Sequence, residues 1–161
     1  MSRKARIAAT ALAVLLAAPA ALADSLVRVT LIDKAGAVDP DSPHKLGMGM
    51  KADMSMAKMG IKASPATARR GAVTFDVTNL ASAIVHEVIV VPITDENKVL
   101  PFDESRNKVD TDSLQPLGSV NEIEPNKTVS LTLNLGPGKY LLYCNIAGHY
   151  MAGMWTVVTV E

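Results

Sequence analysis

Between Leu26 and Ile32 the side chains follow a period of two, with Val27, Val29 and Leu31 on one side and Leu26, Arg28 and Thr30 on the other. That pattern predicts a half-buried strand. Residues 73–78, 84–91, 128–135, 139–144 and 155–160 are likewise short and rich in β-branched or aromatic residues. Turn signals separate them, among them Arg70-Gly71, Glu124-Pro125-Asn126 and Gly136-Pro137-Gly138. No stretch beyond the first 23 residues keeps a helical period. The expectation is an all-β antiparallel sandwich or barrel, its core between two sheets. Residues 33–62, rich in Gly, Lys and Met, and residues 94–118, polar and carrying Pro101 and Pro116, break the strand pattern and read as long excursions.

The first residues change the picture of where such a domain would work. Arg3, Lys4 and Arg6 precede an uncharged run from Ile7 to Ala23 that ends in Ala21-Leu22-Ala23. Basic, apolar and small-residue parts in that order predict a secretory signal over 1–23, cleaved between Ala23 and Asp24. The run is short and alanine-rich for a spanning helix, which wants about 20 strongly apolar residues, so no stable membrane insertion is expected. The remainder, 24–161, is one domain by length. Export is to the periplasm or an equivalent compartment.

The chain carries 16 basic and 16 acidic residues, and the leader takes three basic ones with it. The charge balance of a mildly acidic mature chain gives no electrostatic drive toward nucleic acid or anionic lipid. A single cysteine, Cys144, excludes an internal disulfide. It is then a buried hydrophobe, a reactive thiol or a metal ligand.

Its neighbours favour the last. Tyr143-Cys144-Asn145-Ile146-Ala147-Gly148-His149-Tyr150-Met151-Ala152-Gly153-Met154-Trp155 places a thiol, an imidazole and a thioether in one loop between two predicted strands. Gly148 and Gly153 stand just before the two later ligands, where glycine opens backbone conformations closed to residues with a Cβ. Met151 competes with Met154 for the thioether place, but two residues after His149 it has little chain with which to swing back. Of the other two histidines, His86 lies within the apolar run Ala83–Val90, whereas His44 follows Pro43 in a polar region. His86 is the better fourth ligand. A thiolate, two imidazoles and a weak axial thioether select copper over zinc, magnesium or calcium.

At these residues the chain resembles the cupredoxin, or type 1 blue copper, family, and the C-x4-H-x4-M spacing looks most like its rusticyanin and sulfocyanin branch. The resemblance runs from about Phe75 to the end. It implies a Greek-key β-sandwich of about seven to eight strands, here with a Met-rich insertion. It also implies one type 1 copper on His86, Cys144, His149 and Met154, with His149 near the surface as the point of electron entry and exit. Two positions depart from the family pattern. Glu87 stands where Asn or Ser usually follows the first histidine, and Ala147 where Pro often precedes the loop glycine.

Met48, Met50, Met54, Met56 and Met59 crowd into residues 48–59. Thioethers are soft ligands that do not titrate, so the segment could hold additional Cu(I); equally, it could be flexible core filler. The expected function is that of a periplasmic single-electron carrier serving a redox partner protein. The alternative is a copper-handling or copper-tolerance protein that binds Cu(I) through the Met-rich segment and meets other copper-handling proteins. No enzymatic role is expected, because three histidines cannot build a multicopper cluster in addition to this site.

Overall fold

A computed structural model describes residues 24–34 and 45–161, so the leader over 1–23 and His44 lie outside the described residues. Eleven strands occur there: β1 (Ser25–Asp33), β2 (Met59–Ser64), β3 (Thr67–Ala68), β4 (Gly71–Asn79), β5 (His86–Ile93), β6 (Phe102–Asp103), β7 (Lys108–Val109), β8 (Gly118–Ile123), β9 (Thr128–Leu135), β10 (Gly138–Tyr143) and β11 (Trp155–Val160). The first sheet has the order β2-β1-β4-β9 and the second β3-β11-β10-β5-β8, while β6 and β7 form a separate ribbon. Most pairs are antiparallel, but β1 runs parallel to β4 and β3 parallel to β11.

Alternation along β1 and β4 puts Val27, Val29, Leu31, Val73, Phe75 and Val77 on the inner face of the first sheet, all at most 1% exposed. They meet Val88, Val90, Leu142, Val158 and Val160 of the second sheet in one core. On the outer face of the first sheet, Thr74 bonds Thr132 and Thr78 bonds Thr128 across the β4–β9 pair, each at 2.8 Å. That face is polar and solvated.

The second sheet is different, because both of its faces are covered. Ile89, Val91, Leu141 and Tyr143, the outward residues of β5 and β10, join Met48, Leu100, Val109, Tyr150 and Met151 in a second cluster. A strand buried on both sides reads as a continuous apolar run rather than an alternating one, as Val88 to Val91 do. The layer that covers it comes from residues 45–52 and 94–117, the two stretches that broke the strand pattern. They are not structureless: the first excursion ends in β2, and the second contains the β6–β7 ribbon.

Candidate metal centre

β5 begins at His86, and the opposite strand β8 is irregular there. His86 pairs with Ile123 and Val88 with Val120, so β8 spends one residue more than β5 over the same step. Glu122, within that step, has φ 52°. A bulge of this kind re-aims a side chain at a sheet end. The approach to β5 is held by Asn79, fully buried, whose Nδ2 donates to the carbonyls of Ile84 and Ile123 at 2.8 Å each and whose Oδ1 accepts from the backbone N–H of Ala81 at 2.9 Å.

The other donors come from the loop between β10 and β11. Cys144 follows β10 directly, and its N–H donates to the Met154 carbonyl at 3.1 Å, so the loop's two ends are laced together. The chain then makes a compact turn in which Ala152 N–H donates to Gly148 O at 2.9 Å and Met154 N–H to His149 O at 3.1 Å. Gly148 and Gly153 take φ values of 84° and 96°, in the region that disfavours a Cβ. At Gly153 there is also no room: a Cβ would stand 2.8 Å from that of Ala57.

The result is a cluster of three donors. Nδ1 of His86 and Nδ1 of His149 are 3.2 Å apart, and Sγ of Cys144 lies 3.4 Å from the same His149 nitrogen. The ligand atoms of all three residues fall within 4.8 Å of one another. His86 and Cys144 are fully buried, and His149 alone of the three keeps any exposure, 5%. Burial lowers the pKa of both histidines; it takes His149 to about 4, helped by the neighbouring His86 and opposed by Asp33. Both rings are neutral near pH 7, so each offers a lone pair.

Burial also pushes the Cys144 thiol up to about 12, against the pull of the backbone N–H groups of Glu87 and Ile146. Without a cation the sulfur is a thiol. A metal entering here must therefore displace its proton.

Met154 is fully buried and sits in the inner core cluster with Cys144. Met151, its rival for the thioether place, sits in the outer cluster with Tyr143 and Tyr150, on the far side of the second sheet. The Met-rich segment is dispersed. Met48 and Met59 are each 1% exposed but belong to different clusters, and Met50 is half-buried beside Met48. Met54 and Met56 are 41% and 52% exposed on a short 3-10 turn, Met54–Met56, that Asp53 caps through Ser55 N–H.

Both segments of the covering layer grip the ligand loop. From the first, Leu46 N–H donates to Met151 O at 2.8 Å, Trp155 Nε1 donates to Leu46 O at 2.7 Å, and Met48 N–H donates to the Tyr150 hydroxyl at 2.9 Å. From the second, Val109 exchanges hydrogen bonds with the Asn145 side-chain amide at 2.7 and 3.0 Å, and Gly148 N–H donates to Asn107 O at 2.9 Å. Asn79 and Asn145 were not singled out from the sequence. The available signal was an amide residue at a buried place in the alternation of Phe75, Val77 and Asn79, and one directly after the only cysteine.

Against solved structures, rusticyanin from Thiobacillus ferrooxidans aligns at 18% identity over 86% of this chain and 77% of that one, with a TM-score of 0.50. A rusticyanin variant with a methionine replaced by glutamine aligns at 16% identity over 86% and 78%, with a TM-score of 0.51. The chain has the cupredoxin fold. Dithionite-reduced auracyanin from Roseiflexus castenholzii also aligns, at 22% identity over 59% of this chain and 82% of that one, with a TM-score of 0.46. The sulfocyanin (SoxE) domain model matches residues 119–161, the segment that contains Cys144, His149 and Met154. No curated relative matches the chain.

Within that fold the donor chemistry fits copper. A sulfur that must ionise and two neutral imidazoles, with no carboxylate in the cluster, are borderline-soft ligands that suit copper and leave nothing for magnesium or calcium.

Proposed function

We propose that this protein is a blue-copper electron carrier, holding one type 1 copper through Nδ1 of His86, Sγ of Cys144, Nδ1 of His149 and the thioether of Met154. The observation that carries the proposal is the buried convergence of two Nδ1 atoms and one sulfur within 4.8 Å. Bound copper would supply one-electron chemistry between Cu(I) and Cu(II). The chain's own part is to hold the donors. The Cys144–Met154 backbone hydrogen bond, the glycines at 148 and 153 and the two covering segments fix the ligand loop before any metal arrives, so little reorganises when charge changes. His149, the one donor with an exposed edge, is the contact through which a redox partner protein would exchange electrons.

The domain is 24–161, exported after cleavage between Ala23 and Asp24, and it carries electrons rather than turning over a substrate. Among the described residues no helix is long and apolar enough to cross a membrane. Copper handling by the Met-rich segment is the weaker reading, because burial of Met48 and Met59 in separate clusters leaves Met54 and Met56 as the exposed thioethers.

The test is to add Cu(II) to the purified protein and record its visible spectrum before and after reduction. The expected result is an intense thiolate-to-copper band, one copper per chain, that bleaches on reduction, returns on oxidation and is absent from Cys144→Ser. A colourless adduct refutes the proposal.

A further inference from the structure

Glu87 follows the first histidine on β5 and reaches the ligand loop with its side chain. Its Oε1 accepts the backbone N–H of Asn145, the residue directly after Cys144, at 3.1 Å. One carboxylate thus ties the strand that delivers His86 to the loop that delivers the sulfur. The side chain is half-buried beside the site, so its charge is less screened than that of a surface carboxylate. The carboxylate stands directly after His86 in the chain and against the peptide N–H that follows Cys144, close enough for its charge to act on a cation held between those two residues. A backbone N–H needs only an oxygen acceptor, which a neutral amide would also provide. The negative charge is therefore a separate property with its own consequence.

We propose that Glu87 is a positioning residue that sets the Cys144 loop through Asn145 N–H, and that its fixed negative charge holds the copper site toward Cu(II), keeping the reduction potential below that of the same site with a neutral residue. The proposal rests on the copper reading above. Adding an electron beside a fixed negative charge is uphill, whereas Cu(II) gains from it. The hydrogen bond and the charge can be separated by substitution.

Glu87→Gln keeps an oxygen for Asn145 and removes the charge. Glu87→Asp keeps the charge on a stem one carbon shorter, and Glu87→Ala loses both. Each copper-loaded protein is titrated potentiometrically at low ionic strength through its visible band, and amide exchange at Asn145 is measured on the copper-free forms. In Glu87→Gln the ratio of Cu(I) to Cu(II) affinity is expected to rise about tenfold, which is ~59 mV for a one-electron couple, with the band and Asn145 exchange unchanged. In Glu87→Asp the potential should stay near that of the parent while Asn145 exchanges several-fold faster. Glu87→Ala should show both effects.

A blue parent protein whose Glu87→Gln variant has an equal or lower potential overturns the charge assignment. Unchanged Asn145 exchange in both Glu87→Asp and Glu87→Ala overturns the positioning role. A parent protein with no band refutes the copper reading itself and the charge assignment with it, while the exchange measurement still decides the positioning role.

Discussion

Met151 and Met154 lie three positions apart in one loop, yet the second sheet separates them. Met154 joins Cys144 in the inner core, and Met151 joins the aromatic cluster outside it. Sequence spacing already favours Met154, since Met151 follows His149 by only two residues; burial beside the sulfur adds a difference in environment that spacing does not contain. A thioether is soft enough for Cu(I), but Cu(I) is content with three donors whereas Cu(II) gains from a fourth, so losing this axial donor costs Cu(II) more. Met154→Leu should therefore keep its copper and raise the potential by roughly 59 mV or more, a tenfold shift in affinity ratio, while Met151→Leu leaves the potential in place; potentiometry on both variants checks this. Cys144 permits a test without metal. A fully buried thiol with its pKa near 12 is almost entirely protonated at pH 8, and the thiolate is the nucleophile. Copper-free protein should thus be alkylated by iodoacetamide orders of magnitude more slowly than the same protein in denaturant, as mass spectrometry over time would record.

The six strands expected from patterning correspond to β1, β4, β5, β9, β10 and β11, because their apolar residues face the core, buried in five of them and half-buried along most of β9. The strands that escaped notice lack that mark. β2 reads Met-Gly-Ile-Lys-Ala-Ser, with Met59 and Ile61 buried but a glycine between them, and β8 carries the extra residue opposite His86 that spoils its period of two. β3, β6 and β7 are two residues each, too short for any period to register. What no local pattern could reveal is that the two excursions form a third layer over the second sheet, since that depends on contacts between Met48, Val109, Tyr143 and Tyr150, far apart in sequence. Asn79 shows how an element junction is held. Replacing it by Ala would leave the carbonyls of Ile84 and Ile123 and the N–H of Ala81 without their partner, at a cost of about 2–4 kcal/mol. The expected result for Asn79→Ala is a denaturation midpoint lowered accordingly, with copper lost more readily because His86 stands two residues after Ile84, whose carbonyl Asn79 holds.

For the molecule as a whole, the metal site is a place where the fold holds groups against their chemical preference. Two imidazoles that mild acid would protonate in water are kept neutral in a buried pocket, beside a sulfur whose ionisation is pushed well above its usual range. Such burial has a cost that appears as pH dependence. The folded pKa of His149 is about 4, below the value near 6.5 of an unfolded chain; between the two, the unfolded state binds a proton that the folded state refuses. Stability therefore rises with pH across that window and is lost as pH falls from about 6.5 toward 4, with His86, lowered in the same direction, adding to the loss. His149 alone contributes up to about 3 kcal/mol at 1.36 kcal/mol per unit. Thermal melts of the copper-free protein from pH 8 to pH 4 should show a plateau above pH 7 and a steady fall in Tm below it. A His149→Phe variant, which keeps the bulk and removes the titrating group, should flatten most of that slope. Copper changes the outcome in a defined way: coordinated nitrogens cannot take protons, so the loaded protein gains stability with copper concentration. Its Tm should stay above that of the copper-free form until acid displaces the metal. A copper-free protein equally stable at pH 4.5 and pH 7 would show that the histidines are not held neutral by burial.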